Sequence, residues 1–94
     1  MKSSIATAFG HVARGLRLAK GMTQEEVGLK AGLQRKYISL LELGTNAPSL
    51  TAVLQIAAAL DVDAGKFVSL VCERIQENEA HVGATTVVEA KTKR

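Results

Sequence analysis

Thr23-Gln24-Glu25-Glu26-Val27-Gly28-Leu29-Lys30-Ala31-Gly32-Leu33-Gln34-Arg35-Lys36-Tyr37-Ile38-Ser39-Leu40-Leu41-Glu42 is the stretch that decides how this chain folds. It opens on a T-x-x-E capping box. The Thr23 hydroxyl can accept from the Glu26 amide while the Glu26 carboxylate reaches back to the Thr23 amide. A short helix over Gln24–Lys30 follows. Ala31-Gly32-Leu33 then makes a tight turn, with Gly32 free to adopt the left-handed backbone the turn needs. The next helix is expected over Gln34–Leu43, with Ile38 and Leu41 inward and Glu42 beside them. Gly28 stands four residues before Gly32, where a larger side chain would collide with the following helix. Val27, Leu33, Ile38 and Leu41 supply the apolar contacts that set the angle between the two helices.

Outward from this pair the chain reads as helix in both directions. Phe9, Val12, Ala13 and Leu16 recur at i, i+3, i+4 and i+7, predicting a first helix over Ser4–Lys20 with one buried stripe. Ser4 is its expected N-cap and Gly21 its left-handed stop. Gly10 and Gly15 lie inside it, at a propensity cost of about 1 kcal/mol each relative to Ala. A glycine kept there often marks a close helix–helix approach. Downstream, Gly44 ends the third helix and Thr45–Pro48 form a loop. Ser49 caps a fourth helix over Leu50–Leu60, with Val53, Leu54, Ala57 and Leu60 facing in. Asp61 and Val62 turn the chain, and Asp63 caps a fifth helix that carries Phe67, Leu70, Val71 and Ile75 on one side and reaches about Asn78. The periodicity stops there. Residues 1–78 therefore read as one domain and 79–94 as a polar, flexible tail with a basic end.

Composition narrows the class. The chain has 94 residues, 47% of them hydrophobic but with only 3% aromatic, so small aliphatic side chains must fill one all-α core. Cys72 is the sole cysteine; an intramolecular disulfide and a cysteine-rich zinc site are excluded. It reads as a small packing residue of the fifth helix. His11 and His81 are far from it, and no metal or other cofactor is expected. No Ser/His/Asp or Cys/His arrangement, phosphate-cradling glycine loop or paired carboxylate appears, so the chain reads as a non-enzyme. No apolar run approaches the roughly 20 residues of a membrane span. Met1–Thr7 lacks the apolar core of a secretory signal, and a cytoplasmic location is expected.

Charge is distributed unevenly. Up to Asn46 there are seven Lys or Arg against three Glu, a balance of +4, whereas Ala47 onward carries −1. A basic N-terminal half suits a one-faced binder of polyanions.

Two short helices joined by a glycine-containing turn are the pattern of a helix-turn-helix. The wider set of Phe9-Gly10, Arg17, Gly21, Thr23–Glu26, Ala31-Gly32, Tyr37-Ile38-Ser39, Leu41-Glu42, Gly44, Pro48-Ser49-Leu50 and Ala57–Leu60 resembles the Cro and lambda-repressor family, also called the Xre family, over about Ala8–Val71. The resemblance implies a five-helix lambda-repressor-like domain that binds double-stranded operator DNA, usually as a symmetric homodimer. It further implies base contacts from Gln34, Arg35, Lys36, Ser39 and Leu40 on the recognition helix, and phosphate contacts from Gln24, Thr45 and Asn46. An ion pair between Arg17 and Glu42 is implied across the first and third helices. Four departures stand out. Gln34 replaces the usual Ser or Thr cap, Leu40 and Leu43 replace polar residues, and Leu29 occupies an outward position of the second helix.

The function these features imply is a sequence-specific transcriptional regulator, a repressor by preference, of the prophage-regulator or restriction-modification-controller type. It would read a pseudo-palindromic operator. The alternative is an antitoxin-like module that binds a partner protein first and DNA second, supported by exposed Leu29, Leu40 and Leu43 and by the unassigned tail. For assembly, Val68 lies off the inward stripe of the fifth helix, which makes that helix the expected dimer contact.

Overall fold

The computed structural model describes residues 4–81, with side chains as far as Asn78. Five helices follow one another: α1 (Ser4–Ala19), α2 (Gln24–Ala31), α3 (Arg35–Glu42), α4 (Leu50–Ala59) and α5 (Ala64–His81), with no strand among the described residues. The arrangement is the all-α, five-helix bundle. α1 packs on α5 and α3, α2 on α4 and α3, and α4 on α5. Phe9 and Phe67 stack at the centre, ring centroids 5.2 Å apart, and both are fully buried. Val27, Ile38, Leu41, Ile56 and Leu60 close around them. With so few aromatic residues, this stacked pair supplies most of the bulk that the surrounding alanines cannot.

The helix ends follow from local chemistry. Both bonds of the capping box form, Glu26 N–H to Thr23 Oγ1 at 3.0 Å and Thr23 N–H to Glu26 Oε1 at 2.8 Å. Gly32 takes φ 74°, and the Leu33 amide returns to the Gly28 carbonyl at 2.8 Å. Ser49 caps α4 through the Ala52 amide, and the Asp63 carboxylate accepts from Lys66 N–H. Gly21 and Gly44 are left-handed where their helices stop. The α4–α5 turn has no glycine, and Asp61 itself takes φ 59° there; a short polar side chain tolerates this conformation better than a branched one.

Several boundaries and faces differ from the sequence reading. α3 is shorter by a residue at each end, because Gln34 and Leu43 are its flanking caps. Ser4 belongs to α1 itself. In α4 and its C-cap the buried residues are Ala52, Ile56, Ala57, Ala59 and Leu60, and Leu54 is half-exposed. A helix apolar nearly all round gives periodicity little to select from, and packing on α2 and α5 made the choice. Cys72 is exposed and is not a packing residue. The helix α5 continues past Asn78 to His81, and the rest of the expected tail lies outside the described residues.

The two internal glycines of α1 behave oppositely. A Cβ on Gly10 would sit 2.6 Å from the Glu42 carbonyl oxygen and still closer to that of Leu41, so α1 and α3 approach backbone to backbone. A Cβ on Gly15 would meet nothing within 4 Å. Gly15→Ala should therefore stabilise the fold by about 0.5–1 kcal/mol, the helix-propensity gain. Gly10→Ala should destabilise it by about 1–3 kcal/mol, since α1 must move off α3. Urea denaturation of the two variants checks this, and shifts of the same sign would contradict the close approach.

Candidate nucleic-acid interface

α3 is held from behind and open in front. Ile38 and Leu41 are buried in the core, and Glu42 at its last turn is fixed by three hydrogen bonds from two residues. Arg17 from α1 donates to both carboxylate oxygens, Nε to Oε2 at 2.7 Å and Nη2 to Oε1 at 2.9 Å. Gln24 from α2 adds Nε2 to Oε1 at 3.0 Å. The remaining reach of Arg17, Nη1, donates to the Met22 carbonyl at 2.9 Å and fastens the α1–α2 turn. The two charged side chains are only 11% and 5% exposed, so this bidentate pair lies largely out of water. Hydrogen bonding to Glu42 holds the Arg17 pKa above its ordinary value; burial pulls it down, and the carboxylate charge adds to the rise. Because the folded-state value is the higher one, this stabilisation is complete below the unfolded pKa of arginine. It is lost only as pH rises through the folded value, far above neutrality.

The front of α3 presents Gln34, Arg35 and Lys36, all exposed, with Ser39 and Leu40 half-exposed one turn later. Gln34 makes no side-chain cap bond. Gln24, expected only as a phosphate contact, is half-buried and lies between Glu42 and Arg35, whose Nη1 is 3.4 Å from Gln24 Oε1. A polar chain thus runs Arg17–Glu42–Gln24–Arg35 from the core to the recognition surface. The sequence reading missed this link, although the spacing of 11 residues between two helix starts was its visible sign. Beside it an open groove of about 650 Å³ is lined by Arg17, Thr23, Gln24 and Arg35. The Thr23 cap takes the Glu26 amide, and the first amides of α2 have no intrahelical acceptor, an arrangement suited to an anion. On the other side the Thr45 amide donates to the Leu40 carbonyl at 3.1 Å, tying the Thr45–Asn46 loop to α3. Gly44, buried and left-handed, brings that loop against α1, where a Cβ would lie 3.2 Å from the Thr7 Cα.

At Gly28 a Cβ would lie 2.6 Å from the Leu33 carbonyl oxygen. The obstacle is the turn itself rather than the body of α3, a small correction to the sequence reading. Leu29 and Leu43 are well exposed, 77% and 60%, whereas Leu40 is half-buried. Among the described residues no three His, Cys, Asp or Glu side chains cluster as metal ligands, and no helix is long and apolar enough to cross a membrane.

Two short helices at a glycine turn, the second braced in a bundle with its front uncovered, define a helix-turn-helix domain. The family model described as Helix-turn-helix matches residues 14–67, and the chain belongs to that family. It is 40% identical over 63 residues to the Control protein C.BamHI of Bacillus amyloliquefaciens, covering 66% of this chain and 78% of that one. Among solved structures it is similar to the restriction-modification controller protein C.AhdI from Aeromonas hydrophila, with 35% identity and TM-score 0.66 over 69% of this chain and 98% of that one. It is also similar to the restriction-modification controller protein C.Esp1396I, solved as a tetramer in complex with its natural operator, with 29% identity and TM-score 0.74 over 80% and 99% of the two chains.

Removing Glu42 would strand the Arg17 guanidinium in a poorly hydrated site. Glu42→Ala should cost on the order of 2 kcal/mol or more in urea unfolding, while Glu25→Ala, at an exposed helix start, should cost only tenths. Equal midpoints would contradict the bracing role of Glu42.

Proposed function

We propose that this protein is a repressor-type transcriptional regulator of the restriction-modification-controller kind, binding a pseudo-palindromic DNA operator as a homodimer. The observation that carries the reading is the front of α3: the exposed cap residue Gln34 and the exposed first-turn residues Arg35 and Lys36 of a helix whose acidic residue, Glu42, is neutralised behind it. Laid in the major groove, such a turn brings Arg35 to the O6 and N7 of a guanine, and Lys36 to a second guanine or a phosphate. Gln34, Ser39 and Leu40 complete the base-reading face. Gln24 at the start of α2, and Thr45 and Asn46 in the loop tied to Leu40, hold the flanking phosphates. No catalysis or cofactor enters this reading, which puts the protein in the cytoplasm. The interaction-module alternative is not favoured, since the similar proteins are controller proteins and helix-turn-helix transcriptional regulators.

Dimerisation is assigned to the apolar face that includes Val68. This residue is 45% exposed and, with Ile5, Leu50 and Val53, lines a groove of about 200 Å³. Ile5 and Leu50 are themselves 58% and 71% exposed. A two-fold contact over this face removes several aliphatic side chains from water and sets two recognition helices about 34 Å apart, one DNA turn.

Two experiments test the reading. In titrations on operator and scrambled duplexes, Arg35→Ala should cost about 1–3 kcal/mol on operator and relax preference at one position per half-site. Gln24→Ala should weaken both duplexes nearly alike, because its contact to Arg35 is long and exposed. An unchanged specificity ratio for Arg35→Ala would sink the assigned register. In sedimentation at micromolar concentration the wild type should show about twice the 9.9 kDa chain mass, and Val68→Asp should return it toward one. A wild type that sediments as one chain would refute the free dimer.

A further inference from the structure

The recognition face changes character along its length. Its first turn is cationic, but one turn on it offers Leu40, with Leu43 three residues further on the same side of the chain. Leu43 is 60% exposed and Leu40 is half-exposed. Leu40 is framed on both sides by groups suited to DNA. Arg35 and Lys36 precede it, and its own carbonyl holds the Thr45 amide and hence the Thr45–Asn46 loop. If both flanks engage the duplex, Leu40 must lie against base edges between them. It has no donor or acceptor to offer. The one apolar group that a base pair displays in the major groove is a methyl at pyrimidine C5.

We propose that Leu40, supported by Leu43, is a methyl-reading site that recognises a 5-methylpyrimidine, thymine or 5-methylcytosine, in each half-site. The proposal rests on the DNA-binding reading above and names the chemistry that this part of the surface selects. Leu40 lies five residues beyond Arg35, about 7.5 Å along the helix. The methyl therefore belongs within about two base-pair steps of the pair that Arg35 reads. Since a leucine senses the methyl and not the exocyclic group at C4, cytosine methylated at C5 gains the contact that plain cytosine lacks. Operator affinity then depends on cytosine methylation at that step.

The test begins with an operator selected by the wild-type protein from randomised duplexes. Each thymine of a half-site is then replaced by deoxyuridine, which removes only the methyl. One position should lose about fourfold in affinity, the scale of returning one methyl to water. At that step a duplex carrying 5-methylcytosine should bind about fourfold more tightly than one carrying cytosine. In Leu40→Ser both differences should vanish, and comparing paired duplexes with one preparation keeps any loss of folding out of the ratio. A response to thymine over uracil without a response to 5-methylcytosine overturns the proposal that Leu40 reads the methyl alone. No position sensitive to uracil, or sensitivity that survives Leu40→Ser, overturns the proposal while leaving operator binding intact. Failure to select any sequence overturns the DNA-binding reading and the proposal together.

Discussion

The Glu42 carboxylate is the point on which the front half of the molecule depends. Arg17 takes both of its oxygens and Gln24 shares one, so a single side chain ties α1, α2 and α3 together. The geometry is possible only because α1 carries no side chain at Gly10, where the carbonyls of Leu41 and Glu42 press against it. The two constraints cooperate. The glycine lets the backbones meet, and the ion pair then fixes how far α3 is rotated about its own axis. Rotation decides which residues face outward, so Gln34, Arg35 and Lys36 owe their exposure to contacts made on the opposite side.

Such an ion pair need not add much net stability, since two desolvated charges offset most of their attraction. Its value lies in direction. An apolar pair at the same place could slide, whereas a bidentate guanidinium–carboxylate contact accepts one alignment. The third donation of Arg17, to the Met22 carbonyl, extends the same alignment to the turn that leads into the Thr23 cap.

Much of this was legible in the sequence because the signals were local. The capping box at Thr23 and Glu26, the glycines at 21, 32 and 44 and the caps at Ser49 and Asp63 each act within four residues of themselves, and all form. The stripe through Phe9 and Ala13 was equally plain, since polar residues separate it. Where the structure departs, the deciding forces act over distance. Leu54 turns outward because α4 is apolar on nearly every side and its neighbours selected the face. The left-handed backbone at Asp61 closes the α4–α5 turn, and no glycine announced it. The Gln24–Arg35 contact needs two helix starts brought together by the turn between them, which no single-helix periodicity contains.

The division of α3 into a fastened rear and an open front has a consequence for how such proteins diversify. Ile38, Leu41 and Glu42 carry its attachments, while among the described residues the side chains of Gln34, Arg35 and Lys36 make one long hydrogen-bond contact, from Arg35 to Gln24. Changes to the front therefore leave the bundle nearly untouched, and new target preferences can accumulate without a matching search for compensating substitutions. One scaffold can be re-lettered many times at little thermodynamic risk, and a designer could transplant the leading part of a foreign reading face here by altering those positions.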